Sequence, residues 1–127
     1  MIARDIMTHR VCTTRPETSV QEVAQLLSSQ RISGAPVVDA QGQIIGIVTE
    51  GDIISKVDRE GLSVADIMCR ELIVIAEEMP VGEIASLLTE RRIKRVPVVR
   101  NGKLVGIVSR ADIVNAVAQG HVILRQW

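Results

Sequence analysis

Apolar residues along this chain follow two spacings, one helical and one extended, and the alternation between them is played through twice. Val20, Val23, Ala24 and Leu27 recur every three or four positions, as do Val81, Ile84, Ala85 and Leu88. This spacing predicts two amphipathic helices with those residues inward, the first ending near Gln30 and Arg31 and the second covering Val81 to Glu90. Pro36 to Val38, Ile44 to Val48, Pro97 to Val99 and Leu104 to Val108 are short, almost wholly apolar runs. Such runs predict strands of a sheet covered on both faces. Ala3 to Met7 reads as a helical turn, Val11 to Thr14 and Leu72 to Ile75 as extended, and 50–57 and 110–118 as helices. Ser19 with Glu22 forms a capping-box pattern, and Ser63 with Asp66 caps the turn that follows a polar linker, Asp58-Arg59-Glu60-Gly61.

The second half restates the first. Asp5-Ile6-Met7 returns as Asp66-Ile67-Met68, and Ala35-Pro36-Val37-Val38 as Val96-Pro97-Val98-Val99, both 61 positions on. Asp39-Ala40-Gln41-Gly42-Gln43 is answered by the shorter Arg100-Asn101-Gly102-Lys103, and from there the offset is 60. A Gly-containing turn is where a hairpin tolerates that deletion. The chain is thus two copies of a unit of about 55 residues, spanning 1–60 and 61–120, with a tail to Trp127 that has no counterpart. Neither copy is large enough to bury much surface alone, so the two are expected to pack as one module.

Composition narrows the function. Fifteen basic and fifteen acidic residues cancel, which disfavours a general polyanion binder. Seven basic residues and no acidic one nevertheless fall between Arg91 and Arg110. Most suit a solvated helix end and turn, whereas Lys94 and Arg95 stand just before a strand. There is no Phe or Tyr and a single Trp, so a bound base would lie between aliphatic side chains rather than on aromatic platforms, and nucleic-acid binding is not expected. Cys12 and Cys69 occupy non-equivalent positions without ligand spacing and read as free thiols of a reducing compartment. His9 and His121 are isolated. With no signal-peptide pattern and no apolar run able to cross a bilayer, the expected location is cytoplasmic. No nucleophile–base pair, metal spacing or P-loop is present, so no catalytic residue, metal or required cofactor is expected.

The doubled stretch Gly46-Ile47-Val48-Thr49-Glu50-Gly51-Asp52-Ile53 and Gly106-Ile107-Val108-Ser109-Arg110-Ala111-Asp112-Ile113 carries the candidate chemistry. Each is a strand ending in a hydroxyl residue, with Asp three positions later opening a helix. Helix capping alone explains such a pair, at about 1 kcal/mol. Both pairs, however, lie at the C-terminal end of a strand, where α/β units put ligands. A carboxylate fixed there accepts the hydroxyls of a ribose, and hydrogen bonds to a charged group are worth ~1.5–3 kcal/mol. The second candidate element is Ile93-Lys94-Arg95-Val96-Pro97, with Ile32-Ser33-Gly34-Ala35-Pro36 as its twin. Proline near the strand start leaves neighbouring backbone to read an adenine edge, and Lys94 and Arg95 add cations for phosphate. The two pockets are therefore expected to differ.

The lead-ins, the -Pro-Val-Val- strands and the Gly-Ile-Val-(Thr/Ser)-x-x-Asp motifs together resemble a tandem pair of cystathionine β-synthase (CBS) domains, a Bateman module, from about Ala3 to Ala118. The resemblance implies an α/β (α+β) fold of two β-α-β-β-α repeats packed sheet to sheet with pseudo-twofold symmetry. It implies a regulatory, energy-sensing module that binds AMP, ADP, ATP or S-adenosylmethionine, pairs into a homodimer and signals to a partner protein or domain. One cleft would join Thr49 and Asp52 to Met68, Leu72, Ile73 and Ile93–Pro97. The other would join Ser109 and Asp112 to Met7, Val11, Cys12 and Ile32–Pro36. A plain assembly module with vestigial clefts is the alternative.

Overall fold

The computed structural model describes residues 1–122. In chain order its elements are α1 (Ala3–Ile6), α2 (Val20–Gln30), β1 (Gly34–Val38), β2 (Ile44–Thr49), α3 (Glu50–Ile54), α4 (Val64–Ile67), β3 (Ile75–Ala76), α5 (Val81–Glu90), β4 (Arg95–Arg100), β5 (Lys103–Ser109) and α6 (Arg110–Ala118). The mixture of small sheets and helices is the expected α+β class. The expectations for 121–127 reach beyond the described residues after Val122.

The chain divides into two compact units that are out of step with the sequence repeats. One is Cys12–Leu72, and the other joins Met1–Val11 to the chain from Ile73 onward. Each unit therefore contains the helix and strands of one copy and the Asp-Ile-Met lead-in of the other.

In the Cys12–Leu72 unit, β1 and β2 form an antiparallel pair, and Thr14 adds a parallel bridge to Val37. Val23, Leu27, Ala35, Val37, Val48, Val64, Ile67 and Met68 make its core. The lead-in closes the far edge: Cys69 and Ile47 exchange backbone bonds, Cys69 N–H to Ile47 O at 2.8 Å and Ile47 N–H to Cys69 O at 2.9 Å. The other unit repeats this arrangement with local differences. There β3, β4 and β5 form the sheet, with Ile75 parallel to Val98. Ala3, Met7, Ile75, Ile84, Leu88, Val96, Val98 and Val108 fill the core. Thr8 and Ile107 exchange bonds of 2.8 and 3.0 Å. The helical spacing in the sequence thus selects the right inward residues, Val23 with Leu27 and Ile84 with Leu88.

The one-residue difference in offset lies in the hairpins. Asn101 (φ 53°) and Gly102 (φ 80°) make a two-residue turn between Arg100 and Lys103, the left-handed pair that matches strand twist. The first copy uses a longer loop, held by the Asp39 carboxylate, which accepts from Gln41 N–H and Gln43 N–H at 2.9 Å each.

Two expectations are corrected. The helix expected over 50–57 stops at Ile54. Ile54 and Val57 are 69% and 67% exposed, so no buried face sustains it, and Asp58 turns left-handed at φ 73°. The capping box at Ser19 is only half made. Ser19 Oγ accepts from Glu22 N–H at 3.1 Å, but the Ser19 amide does not donate back to the Glu22 carboxylate; beside it, Val20 N–H donates to Leu62 O at 3.0 Å and Val64 N–H to Thr18 O at 2.8 Å.

Arg100, part of the basic run in the sequence, is an ion-pair partner. Its Nε and Nη2 donate to the two carboxylate oxygens of Glu77 at 2.6 and 2.8 Å, and Glu77 is buried at 4% exposure. The hydrogen bonds from Arg100 hold the Glu77 carboxyl below its ordinary value of 4.5, against the opposing effect of burial. A carboxylate depressed in this way stabilises the fold above its unfolded pKa, and that contribution is lost as pH falls through the folded value. The native chain should therefore keep this contribution down to below pH 4.5. Arg100→Met, which strands a buried carboxylate, should lower the thermal midpoint most at neutral pH, and the deficit should shrink as pH falls and the Glu77 carboxylate is protonated. Thermal midpoints by circular dichroism between pH 3 and 7 read the deficit, and superimposable profiles would show that the pair has no such role.

Candidate functional site

The two Gly-Ile-Val motifs build matching strand-to-helix turns. Thr49 caps α3, and Asp52 returns the bond: Asp52 Oδ2 accepts from Thr49 N–H at 2.8 Å and from Thr49 Oγ1 at 3.1 Å. Ser109 caps α6 in the same way, with Asp112 Oδ2 accepting from Ser109 N–H at 2.8 Å and from Ser109 Oγ at 3.1 Å. Both hydroxyl residues and both acids are half-buried. The box itself is not specific to a site. Ser63 and Asp66 repeat it at 2.8 and 3.1 Å on the lead-in helix, where Asp66 is exposed and the Ser63 amide and then its hydroxyl lower its pKa. What sets Asp52 and Asp112 apart is their position just past the C-terminal ends of β2 and β5, at matching strand-to-helix turns.

The Pro-containing segments lie beside these turns, each within its own unit. Gly34 pairs with Thr49, and Arg95 with Ser109. The strands begin two residues before Pro36 and Pro97, so that backbone is already in the ladder instead of being free as the sequence suggested. Ser33 O and Lys94 O each accept the first amide of the following helix, from Glu50 N–H at 2.9 Å and Arg110 N–H at 3.1 Å. A carbonyl has a second lone pair, so Lys94 O can still accept once more. Ala35, Pro36, Val96 and Pro97 are buried, Ile32 and Ile93 partly so. Lys94 is exposed, and Lys94, Arg95 and Arg110 together make the Ser109–Asp112 turn cationic. Ser33, Gly34 and Glu50 occupy the same places beside Thr49–Asp52.

Of the remaining expected residues, Cys12, Met68 and Leu72 belong to the Thr49 unit, and Met7, Val11 and Ile73 to the Ser109 unit. Met7 and Met68 are each 8% exposed and seat against backbone. A Cβ placed on Gly106 would stand 2.5 Å from Met7 Sδ, and one on Gly46 would stand 2.7 Å from Met68 Sδ. Each glycine in the motif is thus matched by the methionine of the lead-in.

One contact escaped the sequence reading. Thr8 Oγ1 donates to the second oxygen of Asp112, Oδ1, at 3.2 Å. Thr8 follows Asp-Ile-Met directly, and aligning the two lead-ins shows that Cys69 stands in its place in the other copy. That substitution was the available signal. A groove of about 790 Å³ also lies between α5 and α6, lined by residues that include Val81, Leu87, Ile113 and Val117. None of the expected ligand residues lines it. Among the described residues no group of His, Cys, Asp and Glu is arranged to hold a metal, and no helix is long and apolar enough to cross a membrane.

The fold and the doubled turns define a paired-repeat module. The CBS domain family model matches residues 3–59 and again 64–119, and the chain belongs to the CBS domain family. It is similar to CBSX2, solved in complex with AMP, with TM-score 0.89 at 30% identity, covering 95% of this chain and 98% of that one. It is also similar to the CBS domain pair of protein MJ0100, solved with 5′-methylthioadenosine and S-adenosyl-L-methionine, with TM-score 0.84 at 30% identity over 94% of this chain and 98% of that one. Among curated proteins it is 32% identical to the CBS domain-containing protein YhcV of Bacillus subtilis, over 87% of this chain and 81% of that protein. It is equally 32% identical to the L-aspartate semialdehyde sulfurtransferase of Methanocaldococcus jannaschii, but spans only 22% of that enzyme.

Proposed function

We propose that the chain is a non-catalytic regulatory module that binds an adenosyl ligand (AMP, ADP, ATP or S-adenosylmethionine) and passes the binding event to a partner protein or domain. In this reading Asp52 and Asp112 hold ribose hydroxyls, Thr49 and Ser109 support them, and aliphatic residues of the Pro-containing segments flank the base. Lys94 and Arg95 face phosphate. The observation that carries the proposal is the pair of half-buried acids, each fixed just past the C-terminal end of a strand by its own capping box. The adenosyl ligands of CBSX2 and MJ0100 support it. The proposal extends to a cytoplasmic homodimer that senses adenylate level, with no cofactor of its own.

Thermal shift followed by isothermal titration with AMP, ATP and S-adenosylmethionine tests this reading. A ligand at a hundred times its Kd should add ~2.7 kcal/mol of stability. No shift and no heat with any of the three would remove the ligand-binding role.

One observation favours an assembly module instead. Ile54 and Val114, at equivalent positions after the two acids, are 69% and 66% exposed, and apolar side chains left open in this way suit an interface. A folded dimer indifferent to every nucleotide would be its signature.

A further inference from the structure

Asp52 and Asp112 match in sequence but differ in how much of each carboxylate is still available. In both, Oδ2 is occupied by the amide and hydroxyl of its own cap. Asp112 Oδ1 also takes the Thr8 hydroxyl at 3.2 Å. Asp52 Oδ1 accepts no hydrogen bond among the described residues. The difference comes from the lead-ins. Thr8 is held by its two backbone bonds to Ile107, and Cys69 by two to Ile47. The Cys69 thiol, however, makes only a weak 3.9 Å bond to the Glu71 carbonyl. One position of the fold carries a hydroxyl in one unit and a thiol in the other.

An ionised carboxylate offers about four lone-pair sites. With two on Oδ2 occupied, Asp52 keeps two on Oδ1 and Asp112 keeps one. A ribose 2′,3′-diol brings two O–H donors. Asp52 can accept both, whereas at Asp112 the second hydroxyl must turn to the neutral Thr8 oxygen or to water. A hydrogen bond to a charged acceptor is stronger than one to a neutral acceptor by an amount that corresponds to roughly three- to tenfold in Kd. Any steadying effect of Thr8 on the Asp112 rotamer is small, because two bonds to Oδ2 already fix it.

Resting on the ribose-binding reading above, we propose that Thr8 is a specificity-determining residue. It weakens the grip of the Asp112 half-site on a ribose diol, while Cys69 leaves the grip of Asp52 undiminished. The two half-sites are thereby graded by one hydroxyl, independently of their phosphate contacts.

The test uses adenosine and 2′-deoxyadenosine, which carry no phosphate, in isothermal titrations of the full chain. Asp52→Ala isolates the Asp112 half-site, and Asp112→Ala isolates the other. On the first background Thr8→Val should tighten adenosine roughly three- to tenfold and leave 2′-deoxyadenosine unchanged, since a single hydroxyl needs only one lone pair. Thr8→Cys, a residue this fold already holds at the twin position, should do the same, and Thr8→Ser should change nothing. On the second background Cys69→Thr should loosen adenosine by a similar factor. If adenosine binding is unchanged or weakened by both Thr8→Val and Thr8→Cys while the native chain still binds, the inference falls and the ribose reading stands. A native chain that binds no adenosyl compound removes both.

Discussion

Alanine at Asp52 should weaken adenosyl-nucleotide binding at that motif about a hundredfold, and alanine at Asp112, which has room for one ribose hydroxyl, about tenfold. The estimates follow from two hydroxyls donating to Asp52 and one to Asp112, at ~1.5 kcal/mol each, the low end of the range for a bond to a charged acceptor. Each substitution also removes half of a capping box, at about 1 kcal/mol of helix stability, so the thermal midpoint falls as well. The control for that second effect is built into the chain. Ser63 and Asp66 form the same box, with bonds of 2.8 and 3.1 Å, on the lead-in helix, where no ligand role is proposed. Asp66→Ala should lower the midpoint and leave titration curves unchanged. If Asp52→Ala and Asp112→Ala do no more than Asp66→Ala, the two acids are caps and nothing else.

The second large effect concerns stability. Gly106→Ala should destabilise the fold by about 1–3 kcal/mol, the usual cost of overfilling a packed interior. The new methyl would meet Met7 Sδ at 2.5 Å, Met7 Cγ at 2.9 Å and Thr8 O at 3.1 Å. The thioether can swing, but Met7 is 8% exposed and has little room to do so. The Thr8 carbonyl is anchored to Ile107 N–H at 3.0 Å and yields less. Met7→Ala alone should cost about 2–5 kcal/mol through the cavity it opens. In the double variant the alanine methyl partly fills that cavity, so the combined loss in urea unfolding should be smaller than the sum of the two. Strict additivity would show that Gly106 and Met7 do not depend on each other.

These residues also show what could be read from the chain alone. Helical spacing picked out Val23, Leu27, Ile84 and Leu88, and apolar runs picked out the strands, because burial on one face or both leaves a periodic trace. The hydroxyl–acid motifs were visible for the same kind of reason, being local and repeated. Interactions between distant segments left no such trace. Thr8 reaches Asp112 across 104 positions and Arg100 reaches Glu77 across 23, and no period links either pair. The twin of Glu77 is Pro16 and that of Arg100 is Asp39, so comparing the copies gave no hint of the ion pair. Hydrophobic patterning likewise says which face of a lead-in is buried, but not in which copy. That was settled only by the bridges from Thr8 to Ile107 and from Cys69 to Ile47.

That crossing of lead-ins bears on how such a chain came to exist and how it can be cut. A single copy expressed by itself lacks the backbone bridge that closes its sheet edge, and two separate copies would have to trade lead-ins between molecules to complete themselves. Fusing them in tandem makes the trade intramolecular, at an effective concentration in the millimolar range for a short linker. Cleavage at the Asp58–Gly61 linker would turn one self-sufficient chain into two mutually dependent halves.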